Sequence, residues 1–147
     1  MIKVLTLDPG ESTGWCFRDM YGILQGGTLP KDHRKVAQLI LELAPDVVVL
    51  ESFHLYPGKA KSLSWNSFYP CEVIGVIKYI CDTNGIIWID QAPSVKKFFG
   101  GFKSDWVILQ PQLDRLTEHV KDAYMHLKYF ERNNERKLLN KYNIKEG

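Results

Sequence analysis

Thiols are scarce in this chain: Cys16, Cys71 and Cys81 are the only three among 147 residues. Their number is odd and no two form a C-x-x-C pair, which excludes a disulfide framework and argues against zinc or dithiol redox chemistry. They are expected to be reduced, mostly buried thiols. Long apolar runs are missing as well. No stretch approaches the ~18 residues of a membrane span, and MIKVLTLD enters a strand pattern at once rather than a charged segment followed by a long apolar one. A cytoplasmic setting without a membrane partner is expected. Internal repeats, low-complexity tracts and linkers are also absent, so residues 1–147 are expected to form one domain, large enough to bury a core without staples.

Charge of one sign is in short supply too, since the formal net charge is only +2. That total says little about partners, but its distribution says more. Lys59 and Lys61 fall in one loop-like stretch and Lys96, Lys97 and Lys103 in another. The last twenty residues hold six Lys or Arg against three Glu. What is plentiful is ordinary: 45% hydrophobic and 24% charged residues describe a globular chain.

Residues 2–7 are a β-branched apolar run stopped by Asp8-Pro9-Gly10, which predicts a strand and turn. Residues 14–18 and 22–29 predict two more strands around the turn 19–22, giving an antiparallel meander. Asp32 is a helix cap for Val36, Leu39, Ile40 and Leu43, with the end before Pro45. Residues 46–50 are apolar on both faces, as in a covered central strand, and run into Glu51. A long loop is expected over 52–66, a helix over 67–83, a strand over 86–89 and a short helix from Pro93 to Phe99 ended by two glycines. Residues 102–116 give no clear signal. A last helix is expected from Thr117 to about Phe130, followed by a charged tail over 131–147 that extends it or frays. The order βββαβα-βα-α predicts an α/β fold with a five-stranded mixed sheet flanked by helices.

Asp8 and Glu51 each stand just beyond an apolar strand, where open α/β sheets bind ligands. Asp-Pro-Gly alone is also common turn chemistry. A third acid changes the weight: Asp122, in HVKDAYMHL, shares its helix with Val120, Ala123 and Leu127 and turns toward the sheet, with His119 three residues earlier on nearly the same face. Inward acids need a partner, because an unpaired buried charge is costly. Mg²⁺ takes oxygen ligands and retains waters, so three carboxylates and a substrate phosphate suit it, and Mn²⁺ is expected to substitute. Two such ions ~3.5–4 Å apart assist both the attack of water and the departure of the leaving oxygen at phosphorus. Asp8 would bridge the ions, Glu51 hold one and Asp122 the other, with His119 a further ligand or a proton shuttle.

LDPGESTGW, VVVLESF, APSVKKFFGG and HVKDAYMHL occur in the order and spacing of RuvC-like Holliday-junction resolvases, and the chain resembles that family over most of residues 1–130. The resemblance implies an RNase H-like fold of bacterial or bacteriophage type. It implies that Asp8, Glu51, His119 and Asp122 are the catalytic metal ligands. It also implies a homodimer that cuts four-way DNA junctions by paired nicks leaving 5′-phosphate and 3′-hydroxyl ends. Dimerisation would use the helix over 67–83, whose apolar stripe equally suits packing on its own sheet. The family places a wedge residue soon after the catalytic Glu; Phe53, Leu55 and Tyr56 are candidates, although His54 holds the closest aligned position. Phe53 and Tyr56 equally suit anchoring the loop. Lys96 and Lys97 match the family's A-P-x-x-V-K segment and, with Lys59, Lys61 and Lys103, are candidate phosphate contacts. Two alternatives stay open: another RNase H-like nuclease acting on RNA–DNA hybrids or on other branched or damaged DNA, and a non-catalytic or ATP-binding relative. D-P-G-x-x-x-T-G on its own resembles the phosphate loop of actin-like ATPases.

Overall fold

The computed structural model describes residues 1–53, 68–99 and 118–145. Strands β1 (Val4–Asp8), β2 (Thr13–Arg18) and β3 (Leu24–Leu29) form the antiparallel meander, and β4 (Val47–Glu51) and β5 (Ile87–Gln91) add to it in parallel. The spatial order β3-β2-β1-β4-β5 puts β1 at the centre. Every residue of β1 is buried, as are Val47 to Leu50 of β4, which explains why these segments read as continuous apolar runs.

Helix α1 (His33–Leu43) begins as the sequence predicts: Asp32 is extended and its carboxylate accepts from the Arg34 amide at 2.9 Å. It ends at Ala44, whose positive φ of 45° turns the chain before Pro45. Helix α2 (Tyr69–Thr83) starts with Pro70 in its first turn, and Gly85, at φ 65°, turns the chain into β5. Pro93–Phe99 is a 3₁₀ helix. Helix α3 (Glu118–Asn133) is followed by a short helix α4 (Glu135–Lys141), so most of the charged tail is the end of one helix and the whole of another.

The helices lie on the two faces of the sheet. Leu5, Leu7, Phe17, Val48 and Leu50 pack on one side against Val36 and Ile40 of α1 and Val73, Ile77 and Cys81 of α2. Val4, Cys16, Val47 and Val49 pack on the other against Val120, Ala123, Tyr124, Leu127 and Phe130 of α3 and Leu138 of α4. The α4 end is fixed by Arg18, which is 2% exposed and donates to both carboxylate oxygens of Glu135, at 3.1 and 2.7 Å. Cys16 and Cys81 are buried as expected, whereas Cys71 sits on the outer side of α2 and is exposed. No helix among the described residues is long and apolar enough to cross a membrane.

Candidate active site

Successive side chains on a strand alternate between faces, and here that alternation decides where the acids point. In β1, Val4 and Thr6 face α3 while Leu5 and Leu7 face α1 and α2, so Asp8 falls on the α3 side. In β4 the same count takes Val47 and Val49 to α3 and puts Glu51 with them. Both acids are the last residues of their strands rather than the first beyond them. Inclusion in the ladder is what fixes their direction. Gln91, paired with Glu51 in register at the end of β5, is brought to the same place.

Helix α3 supplies the third acid. Its buried stripe, Val120, Ala123, Tyr124, His126, Leu127 and Phe130, lies on the sheet, and Asp122 sits partly buried beside it. Two features hold the helix close. The Thr6 hydroxyl donates to the Ala123 carbonyl at 2.7 Å. Gly14, the register partner of Asp8, lies against His119, where a Cβ on residue 14 would collide with the His119 carbonyl and Cβ. His119 is therefore beside the site by its backbone, but its side chain is exposed, and among the described residues no hydrogen bond or ion pair joins it to the acids.

Lys96 comes from the 3₁₀ helix and joins the acids together. Its ammonium is 3.0 Å from Glu51 Oε2 and 3.2 Å from Asp122 Oδ2. Three carboxylates thus gather around one lysine, and the imbalance shows in their protonation. Burial first, then the negative charge of Glu51, push the Asp8 carboxyl up to about 8 against the pull of Lys96. Burial also works against charge on Glu51, but hydrogen bonds from His126 and Lys96 outweigh it and hold that carboxyl down at about 2. At neutral pH Asp8 shares a proton with an ionised Glu51. Burial disfavours the charged Lys96 as well, and its bond to Glu51 raises its pKa nonetheless.

Sequence reasoning did not single out His126. It is fully buried, with Nε2 2.8 Å from Glu51 Oε2 and Nδ1 2.7 Å from Gln91 Oε1. A signal was present: His126 is four residues after Asp122 and three after Ala123, hence near the sheet-facing side of α3.

Of the other candidates, Phe53 is partly buried just past β4, and Lys97 is exposed on the 3₁₀ helix. Lys96 is bonded to the acids rather than standing free at the surface. His54, Leu55, Tyr56, Lys59, Lys61 and Lys103 lie outside the described residues. Among the described residues no group of three or more His, Cys, Asp or Glu side chains is arranged to hold a metal ion as it stands. The position to which Glu51 and Asp122 turn is taken by the Lys96 ammonium. The chemistry of the set nevertheless suits a divalent cation: hard oxygen donors at adjacent strand ends carry more negative charge than Lys96 balances, and a proton on Asp8 offsets only part of the excess.

No protein-family model matches the sequence, and a comparison with curated proteins finds no match. Solved structures do match. RuvC of T. thermophilus in complex with Holliday junction substrate aligns with a TM-score of 0.64 at 13% identity, covering 91% of this chain and 97% of that one. A second Thermus thermophilus RuvC structure gives 0.56 at 16% identity, over 89% and 96% of the two chains. The Fowlpox virus resolvase, solved with Holliday junction DNA, gives 0.54 at 17% identity, over 89% and 98%. The five-stranded mixed sheet with helices on both faces is thus an RNase H-like fold, and the chain has the fold of the RuvC-like Holliday-junction resolvases.

Proposed function

We propose that the protein is a divalent-metal-dependent endonuclease that resolves four-way DNA junctions. The observation that carries this reading is the convergence of Asp8, Glu51 and Asp122 around Lys96 at the carboxyl ends of β1 and β4, on a fold shared with junction resolvases. Asp8, Glu51 and Asp122 would hold Mg²⁺ or Mn²⁺, with His119 at the start of α3 a further candidate ligand or proton shuttle. When bound, two such ions lower the barrier to in-line displacement at phosphorus by stabilising the attacking and leaving oxygens.

The chain's own groups have separable roles. Asp8 would hold a cation in its ionised form, in place of the proton it carries without metal. Lys96 is a partly exposed positive charge among the acids, and with a cation at Glu51 and Asp122 it would be free to meet the negative charge of a phosphodiester. Lys97, exposed on the same 3₁₀ helix, offers a second phosphate contact. The apolar stripe of α2 is used by the core, so a homodimer would have to form through the opposite side of that helix, where Tyr79 is 68% exposed. A two-fold junction suits a two-fold dimer making symmetric nicks.

The test is cleavage of a labelled four-way junction beside matched linear duplex and RNA–DNA hybrid. Paired, Mg²⁺- or Mn²⁺-dependent nicks confined to the junction support the reading. Faster cutting of the hybrid makes the protein another kind of RNase H-like nuclease, and junction binding without any cutting makes it a non-catalytic relative.

A further inference from the structure

We propose that His126 is the positioning residue for Glu51: with Gln91 it forms a buried brace that fixes the direction of the Glu51 carboxylate for metal binding. The inference rests on the reading of Glu51 as a metal ligand and adds a residue to it. The imidazole has no exposure to solvent and lies between Glu51 Oε2 at 2.8 Å and Gln91 Oε1 at 2.7 Å. An ionised carboxylate can only accept hydrogen bonds, so Nε2 must carry a proton and donate it to Glu51. Gln91 is itself held. It is 5% exposed, its carbonyl accepts from the Ser52 amide at 2.9 Å, and its side-chain nitrogen donates to Asn134 Oδ1 at 3.4 Å. The Gln91 side chain is the partner at Nδ1, so the ring is held at both nitrogens.

The geometry separates what His126 does from what Lys96 does, although both bond the same Glu51 oxygen. Lys96 reaches the site on a side chain that is 25% exposed and can leave when a cation enters. His126 is fully buried on the inward stripe of α3 and cannot move away without disturbing the core. A buried donor on a carboxylate ligand restricts its rotamer and would leave the second oxygen, Oε1, for a cation. Partners that orient metal ligands in this way typically change metal affinity by about 10–100-fold when removed.

The test is Mn²⁺ titration of the full chain, with free Mn²⁺ read by electron paramagnetic resonance and junction affinity measured without metal. His126→Asn offers a nitrogen near the Nδ1 position but none that reaches Glu51; His126→Gln reaches the Nε2 position. Weakening of Mn²⁺ binding by about 10–100-fold in His126→Asn, with most of it restored in His126→Gln and junction affinity unchanged in both, is the expected result. If His126→Asn does not fold, Gln91→Leu, which frees the Nδ1 side while keeping the imidazole, is expected to weaken Mn²⁺ binding by a smaller factor. Wild-type affinity in the folded His126→Asn or Gln91→Leu protein overturns the inference, as does equal weakening in the Asn and Gln variants. The failure of the underlying reading looks different: wild type and Glu51→Gln would then bind Mn²⁺ alike.

Discussion

The two faces of the sheet are built from the same five strands and serve different ends. Against α1 and α2 the sheet offers Leu5, Leu7, Phe17, Val48 and Leu50, an apolar layer. Against α3 it offers Val4, Cys16, Val47 and Val49, but the same face also carries Thr6, Asp8, Glu51, Gln91 and, from the helix, His126. Among the described residues the first side adds to its packing only peripheral polar contacts, Lys78 with Asp90 and Trp88 with Asp82, whereas the second carries the acids and their buried partners. Because strand side chains alternate, the choice of face for Asp8 and Glu51 follows from which residues of β1 and β4 are given to each core. Helix α3 then acts as both a core element and a part of the site, so its packing and the site's geometry are coupled.

Substitutions should separate the two faces. The largest effect is expected for Asp8→Asn and for Glu51→Gln, which should lower junction cleavage by about a thousand-fold or more, since a metal site contributes several kcal/mol to the transition state. Junction binding measured by gel shift should survive both. Gly14→Ala comes next. A Cβ there meets the His119 backbone, so the start of α3 must shift, and cleavage should fall well beyond what the loss of stability explains, as measured by kcat on the folded fraction. Core truncations sharpen the contrast: Ile77→Ala under α2 and Leu127→Ala under α3 should each cost about 2–5 kcal/mol in denaturant unfolding. Only Leu127→Ala should also reduce activity per folded molecule; equal loss in both would remove the distinction between faces.

The smallest effect concerns pH. Asp8 has a folded-state pKa near 8 against an ordinary 3.8, so the folded protein holds a proton that the unfolded chain releases. Its stabilising share is complete below pH 4 and is lost as pH rises through about 8. Glu51 works in the opposite sense and lower, its share present above 4.5 and lost as pH falls toward 2. Metal-free protein should therefore lose thermal stability between pH 5 and 8. Asp8→Asn should flatten that slope and raise the Tm at pH 8 by a few degrees, on the order of 1 kcal/mol. A slope unchanged in the variant would contradict the shared proton.

Much of this was legible in the sequence, for identifiable reasons. β1 and β4 are rich in β-branched residues, β1 is stopped by Asp8-Pro9-Gly10, β5 follows Gly85, and α1 is framed by Asp32 and Pro45, so order and sheet type could be read directly. Asp8, Glu51 and Asp122 could be placed at strand ends and on an inward helical side. Their meeting point could not. That Lys96 lies among them depends on how the 3₁₀ helix packs against α3, and sequence reasoning placed this lysine only as a phosphate contact. His126 escaped because a histidine on an apolar stripe looks like any core residue until its two partners are known. The end of the chain shows the reverse. A charge-rich segment suggested a tail that extends or frays, but Leu138 and the Arg18–Glu135 pair make it a packed helix.

The most direct test of the central claim is the rate of paired nicking of a four-way junction by wild type and Asp8→Asn, with Mg²⁺ and with chelator. The account predicts cleavage of the junction alone, by wild type alone and only with the metal, with junction binding retained by the variant. Full activity in Asp8→Asn, or cleavage that persists in chelator, would contradict it.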